Sequence, residues 1–274
     1  MPNRLATHLA NTSPKITSYE QLEKQITQIQ TVQGLTQRQQ FVAYYRGQGS
    51  DGFKLVNGIS RSKLDKEEVH VREKKVLADY FKKIEAKHFN FVQAPPQGVD
   101  KNWFAYLQAQ HLGLKTRLMD WTKKWPIALL FAVNETEFDD EDGQFWVFMC
   151  PREQALRNSD TDLLNACAPP EVEQNYMINW PFYLSEEGED NIAEKRRLRQ
   201  HGHFFIQSKD KSTVPLEEQA DLSPYLHKFI VDKDYKSSIR QELGNFTAEW
   251  AYYRQDADIS EEIALLNKSF DEKV

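Results

Sequence analysis

The sequence predicts a single compact α+β domain, with a central and mostly antiparallel sheet flanked by helices. Three observations predict it. Apolar stretches at residues 40–45, 144–149, 176–180, 203–207 and 226–231 read as strands, and the helical stretches between them lack the regular βαβ alternation of a doubly wound sheet. The 274 residues fit one large domain, or a domain with appendages, at about 150 residues per domain. The chain's 16 Phe, 11 Tyr and 6 Trp supply the bulky apolar area of a real core and exclude wholesale disorder. The expected organisation is an N-terminal helical extension over 1–38, a core domain over 39–233, and a helical segment over 234–274 packed on that core.

Taken in order, the residues before Pro14 read as frayed. Thr17-Ser18-Tyr19-Glu20 reads as a capping box opening a helix with Leu22, Ile26 and Ile29 on its buried face, and Gly34 closes that helix. The strand at 40–45 ends in Arg46-Gly47-Gln48-Gly49. A Ser50-Asp51-Gly52 turn follows, then Phe53-Lys54-Leu55-Val56 and Ile59-Ser60-Arg61. A long charged helix from about Lys66 turns Leu77, Tyr80, Phe81, Ile84 and His88 inward. Ala94-Pro95-Pro96-Gln97-Gly98 is a loop. Trp103, Phe104, Leu107 and His111 share a helical face, and Gly113 stops that helix. Thr122 reads as the N-cap, and Pro126 as the first turn, of a helix through Ile127, Leu130 and Phe131 that is apolar nearly all round and therefore buried. Glu135 to Asp142 is an acidic surface loop. A helix from about Asp234 uses Tyr235, Ile239 and Leu243 with Gly244 as its C-cap, and a last helix uses Ile259, Ile263, Leu266 and Phe270.

Charge and cysteine usage narrow the function classes. Against 35 Lys and Arg stand 41 Asp and Glu, a net charge of −6, so adhesion to nucleic acid through bulk charge is not expected. Cys150 and Cys167 cannot make a zinc site alone, and such sparse usage fits a reducing compartment. The longest apolar run, Ile127 to Val133, is far short of the ~20 residues of a membrane span. The expectation is a soluble, cytoplasmic protein with no membrane partner and no metal.

Three polar constellations remain. Tyr45-Arg46-Gly47-Gln48 places a guanidinium at the end of an apolar strand, where it suits phosphate or carboxylate, and Gly47 would let a ligand approach the backbone. The plain alternative is an edge arginine paired with a nearby Asp. Gln110-His111 and Thr116-Arg117-Leu118-Met119-Asp120-Trp121-Thr122 form the second. His111 would be a proton carrier, a ligand donor or a satisfied core histidine; Arg117 and Asp120 would pair with each other, or Asp120 would orient Arg46 or His111. The third, Arg196-Arg197-Leu198-Arg199-Gln200-His201-Gly202-His203-Phe204, offers donors to a polyanion or is a solvated helix end.

In this order, with Ile59-Ser60-Arg61 between the first and the second, the constellations resemble the FRG domain family, named for its (F/Y)RG motif. Its central pattern QH-G-x-T-R-L-x-D-W-T, followed by an apolar A-x-x-F-A helix, is matched by Gln110 to Thr122 with Ala128 and Phe131-Ala132. Arg197-x-x-Gln200-x-Gly202-x-Phe204 resembles a later element of the family. That resemblance spans about Tyr44 to Ile206, and it implies little about activity, since the family is a domain of unknown function common in bacteria and phages. The aromatic-Arg-Gly strand is also similar to that of mono-ADP-ribosyltransferases, whose arginine holds NAD phosphates and which use a strand-borne glutamate. This second likeness implies an ADP-ribosyltransferase-like fold with Arg46 on phosphate, and Gln200 stands where that acid is expected.

Gathered in one pocket, Arg46, Gln110, His111, Arg117, Asp120, Arg197 and Gln200 would be strongly cationic and would suit NAD or a nucleotide. The roles expected are phosphate and ribose binding for Arg46, Gly47, Gln110, Arg117 and Arg197, and catalysis for His111, Asp120 and Gln200. The reading that follows is an NAD-using ADP-ribosyltransferase-like enzyme, a bacterial or phage toxin or defence effector, with a protein or nucleic acid as acceptor. The alternative is a non-catalytic nucleotide- or protein-binding module of the same fold. An acid entering the pocket from Glu135, Glu187, Glu189 or the C-terminal region would favour the enzyme. A metal-dependent nuclease ranks last, because the motifs carry one aspartate.

Overall fold

The computed structural model describes residues 13–37, 41–61, 64–85, 100–111, 113–156, 167–179, 202–244, 261–268 and 270. Eight strands lie among them: β1 (Lys15–Ile16), β2 (Phe41–Gln48), β3 (Leu118–Thr122), β4 (Gly143–Pro151), β5 (Ala155–Leu156), β6 (Tyr176–Asn179), β7 (Gly202–Ile206) and β8 (Leu226–Val231). They form one sheet in the order β1-β8-β4-β2-β3-β7-β6-β5. Only the β1–β8 and β5–β6 pairings are parallel, so the α+β reading with a mostly antiparallel sheet holds.

β2 is longer than its apolar run. It continues through Arg46 and Gly47 to Gln48, because β4 supplies a partner at every step from Phe41↔Pro151 to Gln48↔Gln144. β3 is made from the motif Leu118 to Thr122, whose alternation is hidden in the sequence because Leu118, Met119, Trp121 and Thr122 are all buried. The two-residue strands β1 and β5 are too short to carry a period.

Six helices accompany the sheet among the described residues: α1 (Tyr19–Gln37), α2 (Lys66–Glu85), α3 (Lys101–His111), α4 (Trp125–Val133), α5 (Lys236–Leu243) and α6 (Glu261–Lys268). The cap of α1 sits one residue later than expected. The Ser18 hydroxyl accepts from the Gln21 N–H at 3.1 Å, and the Gln21 side chain accepts from the Thr17 N–H at 2.9 Å. Gly34 does not end α1, which runs on to Gln37. Thr122 is not the N-cap of α4 either: its hydroxyl accepts from the Lys124 N–H at 3.0 Å, and Lys124 flanks the helix with no side-chain cap. Gly113 and Gly244 do terminate α3 and α5, with φ of 86° and 45°. Tyr235 falls in a 3₁₀ turn before α5 and is exposed. The expectations for His88, for residues 94–98, for Ile259 and for the basic run at 195–199 lie outside the described residues.

The helices share one face of the sheet. Leu22, Ile26 and Ile29 of α1, Ala128 to Val133 of α4, and Ile239 and Leu243 of α5 pack with Tyr45, Phe145, Val147 and Phe229. Beside them, residues of α2, α3 and α6 pack with Leu118, Phe204 and Ile206. The other face buries Tyr44, Met119, Trp121, Trp146, Phe148 and Phe205 under Leu55, Leu216 and Leu222.

β2 and β3 meet in register only at Tyr45↔Thr122. Beyond that point Arg46, Gly47 and Gln48 stay with β4, while Leu118 to Trp121 stay with β7. The sheet therefore opens between its central strands.

Arg117, the residue before β3, fixes the far side of that opening. Its Nε meets Glu73 Oε2 at 2.7 Å, Nη1 donates to the Gln207 carbonyl at 2.7 Å, and Nη2 donates to the Pro169 carbonyl at 2.5 Å. Tyr106 donates to Glu73 Oε1 at 2.7 Å and accepts from the Arg117 N–H at 3.0 Å. Arg117 and Glu73 side chains are each 1% exposed. Arg117→Ala would leave a buried carboxylate with one hydrogen bond, and an expected loss of about 3–5 kcal/mol in urea unfolding. The pair Glu73→Leu and Arg117→Met is expected to lose less than Arg117→Ala alone. Wild-type stability in Arg117→Ala would refute the role assigned to this pair.

Candidate functional site

The opening between β2 and β3 is a cleft of about 440 Å³. That is within the range of about 300–1,000 Å³ for small-molecule sites. Its walls are the end of β2 from Tyr45 through Gly49, Asp120 to Thr122 of β3, Gly202 and Phe204 of β7, and Ala128 and Phe131 of α4. Phe53, Lys54, Val56 and Arg61 line it from the segment after β2, and Gln110 and Glu135 complete the polar lining.

Arg46 stands half-buried in the opening. Its Nη1 donates to the Asp120 carbonyl at 2.5 Å, across the gap where strand pairing has stopped, and its Nε is buried with no hydrogen-bond partner. Burial brings the guanidinium down to about 10; Asp120 and Glu135 oppose that shift and Arg61 adds to it. Arg46 is thus a full cation at neutral pH, with one donor committed to the backbone.

Asp120 is held by a relay of hydrogen bonds. The Leu118 N–H donates to Thr116 Oγ1 at 3.0 Å, the Thr116 hydroxyl donates to Gln110 Oε1, and Gln110 Nε2 donates to Asp120 Oδ2 at 3.2 Å. The Gln110 amide is therefore oriented from both ends, and the exposed Asp120 carboxylate is set beside Arg46. Asp120 pairs with Gln110 and not with Arg117.

Glu135 reaches the cleft from the loop after α4. Its Oε2 would lie 3.2 Å from a Cβ added at Gly49. That loop is tied down by Lys236, whose buried Nζ donates to the Gly49 carbonyl at 2.7 Å and the Phe138 carbonyl at 2.6 Å, and by Arg240, which meets Asp139 at 2.5 Å.

The structure thus brings Arg46, Gln110 and Asp120 together and leaves Arg117 out. Arg117 spends its fork on Glu73 and two carbonyls, so it cannot serve phosphate in the cleft. His111 is the last residue of α3, with its side chain outside the described residues, as are Arg197 and Gln200 entirely. The expectation of a strongly cationic pocket relied on Arg117 and Arg197. The described lining carries Arg46, Lys54 and Arg61 against Asp120 and Glu135, and Lys54 is paired with Glu218 at 2.6 Å.

Gly47 has a packing reason that the sequence did not show. A Cβ there would fall 1.8 Å from the Ala128 carbonyl oxygen, so the missing side chain makes room for α4, and the residue also lines the cleft. A Cβ at Gly143 on β4 would likewise meet the Ala132 carbonyl oxygen at 2.6 Å.

Sequence reasoning gave no site role to Arg61, Phe53 or Gln48, and named Glu135 only as one of several acids that could enter the pocket. The available signals were that Ile59-Ser60-Arg61 belongs to the family-like pattern, and that Phe53 follows the Arg-Gly strand within a short, turn-rich segment.

Residues 42–141 match the family model of the FRG domain. Every charged residue in the described lining falls inside that match, whereas Gly202 and Phe204 fall after it. The chain matches no curated protein and no solved structure. No helix among the described residues is long and apolar enough to cross a membrane, and no three metal-ligating side chains among them form a candidate metal site.

Gly47→Ala is expected to destabilise the ligand-free protein by about 1–3 kcal/mol or more through overpacking against α4. Unchanged urea stability would mean that the strand–helix contact is not the constraint. Any anion bound through Arg46 should keep its affinity from pH 7 to 9, because the guanidinium stays protonated across that range. A titration showing the loss near pH 7 would assign that binding to another group.

Proposed function

We propose that this FRG domain is an ADP-ribosyltransferase-like enzyme that takes NAD in the β2–β3 cleft. The observation that carries the reading is the placement of the Arg46 cation and the Glu135 carboxylate in the lining of one opening. The buried Arg46 Nε, a donor without a partner, argues that the residues fit an anionic group. Bound there, NAD would supply an ADP-ribosyl group whose bond to nicotinamide breaks with oxocarbenium-like character.

The chain's residues divide the work. Arg46 and Arg61 hold phosphate oxygens, Arg46 through the donors left over from its bond to the Asp120 carbonyl. Gln110 keeps Asp120 oriented toward a ribose hydroxyl. Glu135 offsets positive charge at the reacting carbon and accepts the proton of the acceptor hydroxyl or water. His111, one residue from Gln110, and Arg197 and Gln200, shortly before the cleft residue Gly202, belong to the same proposal as further ligand donors. A toxin or defence effector, with a protein or nucleic acid as acceptor, is the setting in which this chemistry would act.

Thermal shift with NAD, ADP-ribose, ATP, GTP and short RNA tests the reading, since a ligand of the folded state raises the midpoint by linkage. NAD and ADP-ribose should raise it, and Arg46→Ala should abolish the shift. Glu135→Gln should keep the ADP-ribose shift while slowing nicotinamide release by about 10²-fold or more. Binding of NAD without any nicotinamide release would leave the non-catalytic nucleotide-binding module as the function. No shift with NAD or ADP-ribose would refute the nucleotide reading.

A further inference from the structure

We propose that Phe53 is a stacking platform at the mouth of the cleft, so that the ligand class is a planar aromatic ring joined to an anionic group. A nucleoside phosphate or a dinucleotide fits this description; inorganic phosphate, a sugar phosphate or an acidic peptide does not. The inference rests on reading the cleft as a nucleotide site and adds the part of the ligand that the arginines do not address.

Phe53 is 42% exposed and, of the four exposed large hydrophobic residues among those described, it is the one that lines the cleft. An exposed phenylalanine is common on a surface. One fixed in place in a cleft that two arginines also line is less so. Gln144, fully buried, donates from Nε2 to the Phe53 carbonyl at 2.6 Å and to the Ser50 carbonyl at 2.9 Å. Trp146 Nε1 in turn donates to Gln144 Oε1 at 3.0 Å and holds the amide in that orientation. The Phe53 ring meets Phe138 at 5.2 Å between centroids and an interplanar angle of 86°, a contact that leaves much of its surface open. Phe138 is itself seated against the end of β2, where a Cβ at Gly49 would come within 2.7 Å of its ring. Backbone and ring are therefore both positioned before any ligand arrives, so little conformational entropy is lost on stacking.

Charge around the ring sets the ligand's polarity. Lys54 beside it is neutralised by Glu218, and the Glu135 carboxylate lies near Gly49 and Phe138. An anion near Gly49 and Phe138 would face Glu135, whereas Arg46 and Arg61 supply cations in the same lining. A neutral or electron-poor ring over Phe53, with phosphate at the arginines, satisfies both ends.

The test is calorimetric titration of the full chain with ADP-ribose and with ribose 5-phosphate, on wild type, Phe53→Ala and Phe53→Trp. Stacking on an aromatic side chain is worth about 5- to 150-fold in affinity per base. Phe53→Ala should therefore weaken ADP-ribose by about tenfold or more, leave ribose 5-phosphate unchanged, and melt at the wild-type temperature. Phe53→Trp should bind ADP-ribose at least as well as wild type. Equal weakening of both ligands, no weakening of ADP-ribose, or a wild type that binds neither would overturn the proposal. Ring-selective binding without nicotinamide release from NAD would overturn the enzyme reading and leave the stacking role standing. Transfer that proceeds equally in Phe53→Ala, with equal ADP-ribose affinity, would overturn the stacking role alone.

Discussion

The Arg117 guanidinium is held by acceptors from separate parts of the chain: Glu73 on α2, the Pro169 carbonyl, and the Gln207 carbonyl at the end of β7. The Glu73 carboxylate is completed by the Tyr106 hydroxyl of α3, which burial and the adjacent carboxylate push well above its ordinary pKa. Removing both charges from water costs several kcal/mol per ion, and only saturated hydrogen bonding offsets such a cost. The planar fork of arginine can reach three acceptors at fixed angles, which an ammonium cannot do in the same geometry. The result is that β3 is positioned by α2, α3 and β7. β2 is positioned by β4 and α4. Nothing requires the two strands to pair along their whole length, and the sheet can open where the two systems meet.

An opened sheet exposes backbone groups that need partners. Arg46 supplies one by donating to the Asp120 carbonyl across the gap. The same side chain thus satisfies one backbone carbonyl at the opening and keeps a cation in the cleft. On the other flank, α5 uses a buried lysine for a similar purpose. Lys236 fastens the Gly49 and Phe138 carbonyls to each other, and its ammonium is pushed below the ordinary lysine value by burial. The loop with Glu135 is thereby held beside the strand with Arg46.

Helix faces were the most legible part of the sequence, because Leu22, Ile26 and Ile29, or Trp103, Phe104 and Leu107, report burial through a 3.6-residue period that needs no partner to be visible. The apolar α4 announced its burial as plainly. Strand ends were poorly legible. β2 gains Arg46 to Gln48 from β4, and β3 is buried on both sides of its pleat, so neither alternates. The cleft lining was legible by residue type at Arg46, Gly47, Gln110 and Asp120, whereas Arg117 lies outside it. The Arg117 partner lies 44 residues earlier in the chain, and Gly47 meets a helix 81 positions later.

By itself the sequence determined the fold class, the buried helix faces, the glycine ends of α3 and α5, and the set of polar motifs from which a site could be built. These follow from local chemistry and from periodicity, which act over a few residues. Only the tertiary structure decided which arginine lines the cleft and which is walled in, that Gly47 makes room for a helix, and that Glu135 and Phe53 come to the same cleft. Those outcomes depend on contacts between segments distant in the chain, and an arginine or a glycine looks the same in sequence whether its neighbour is water, a carboxylate or another backbone.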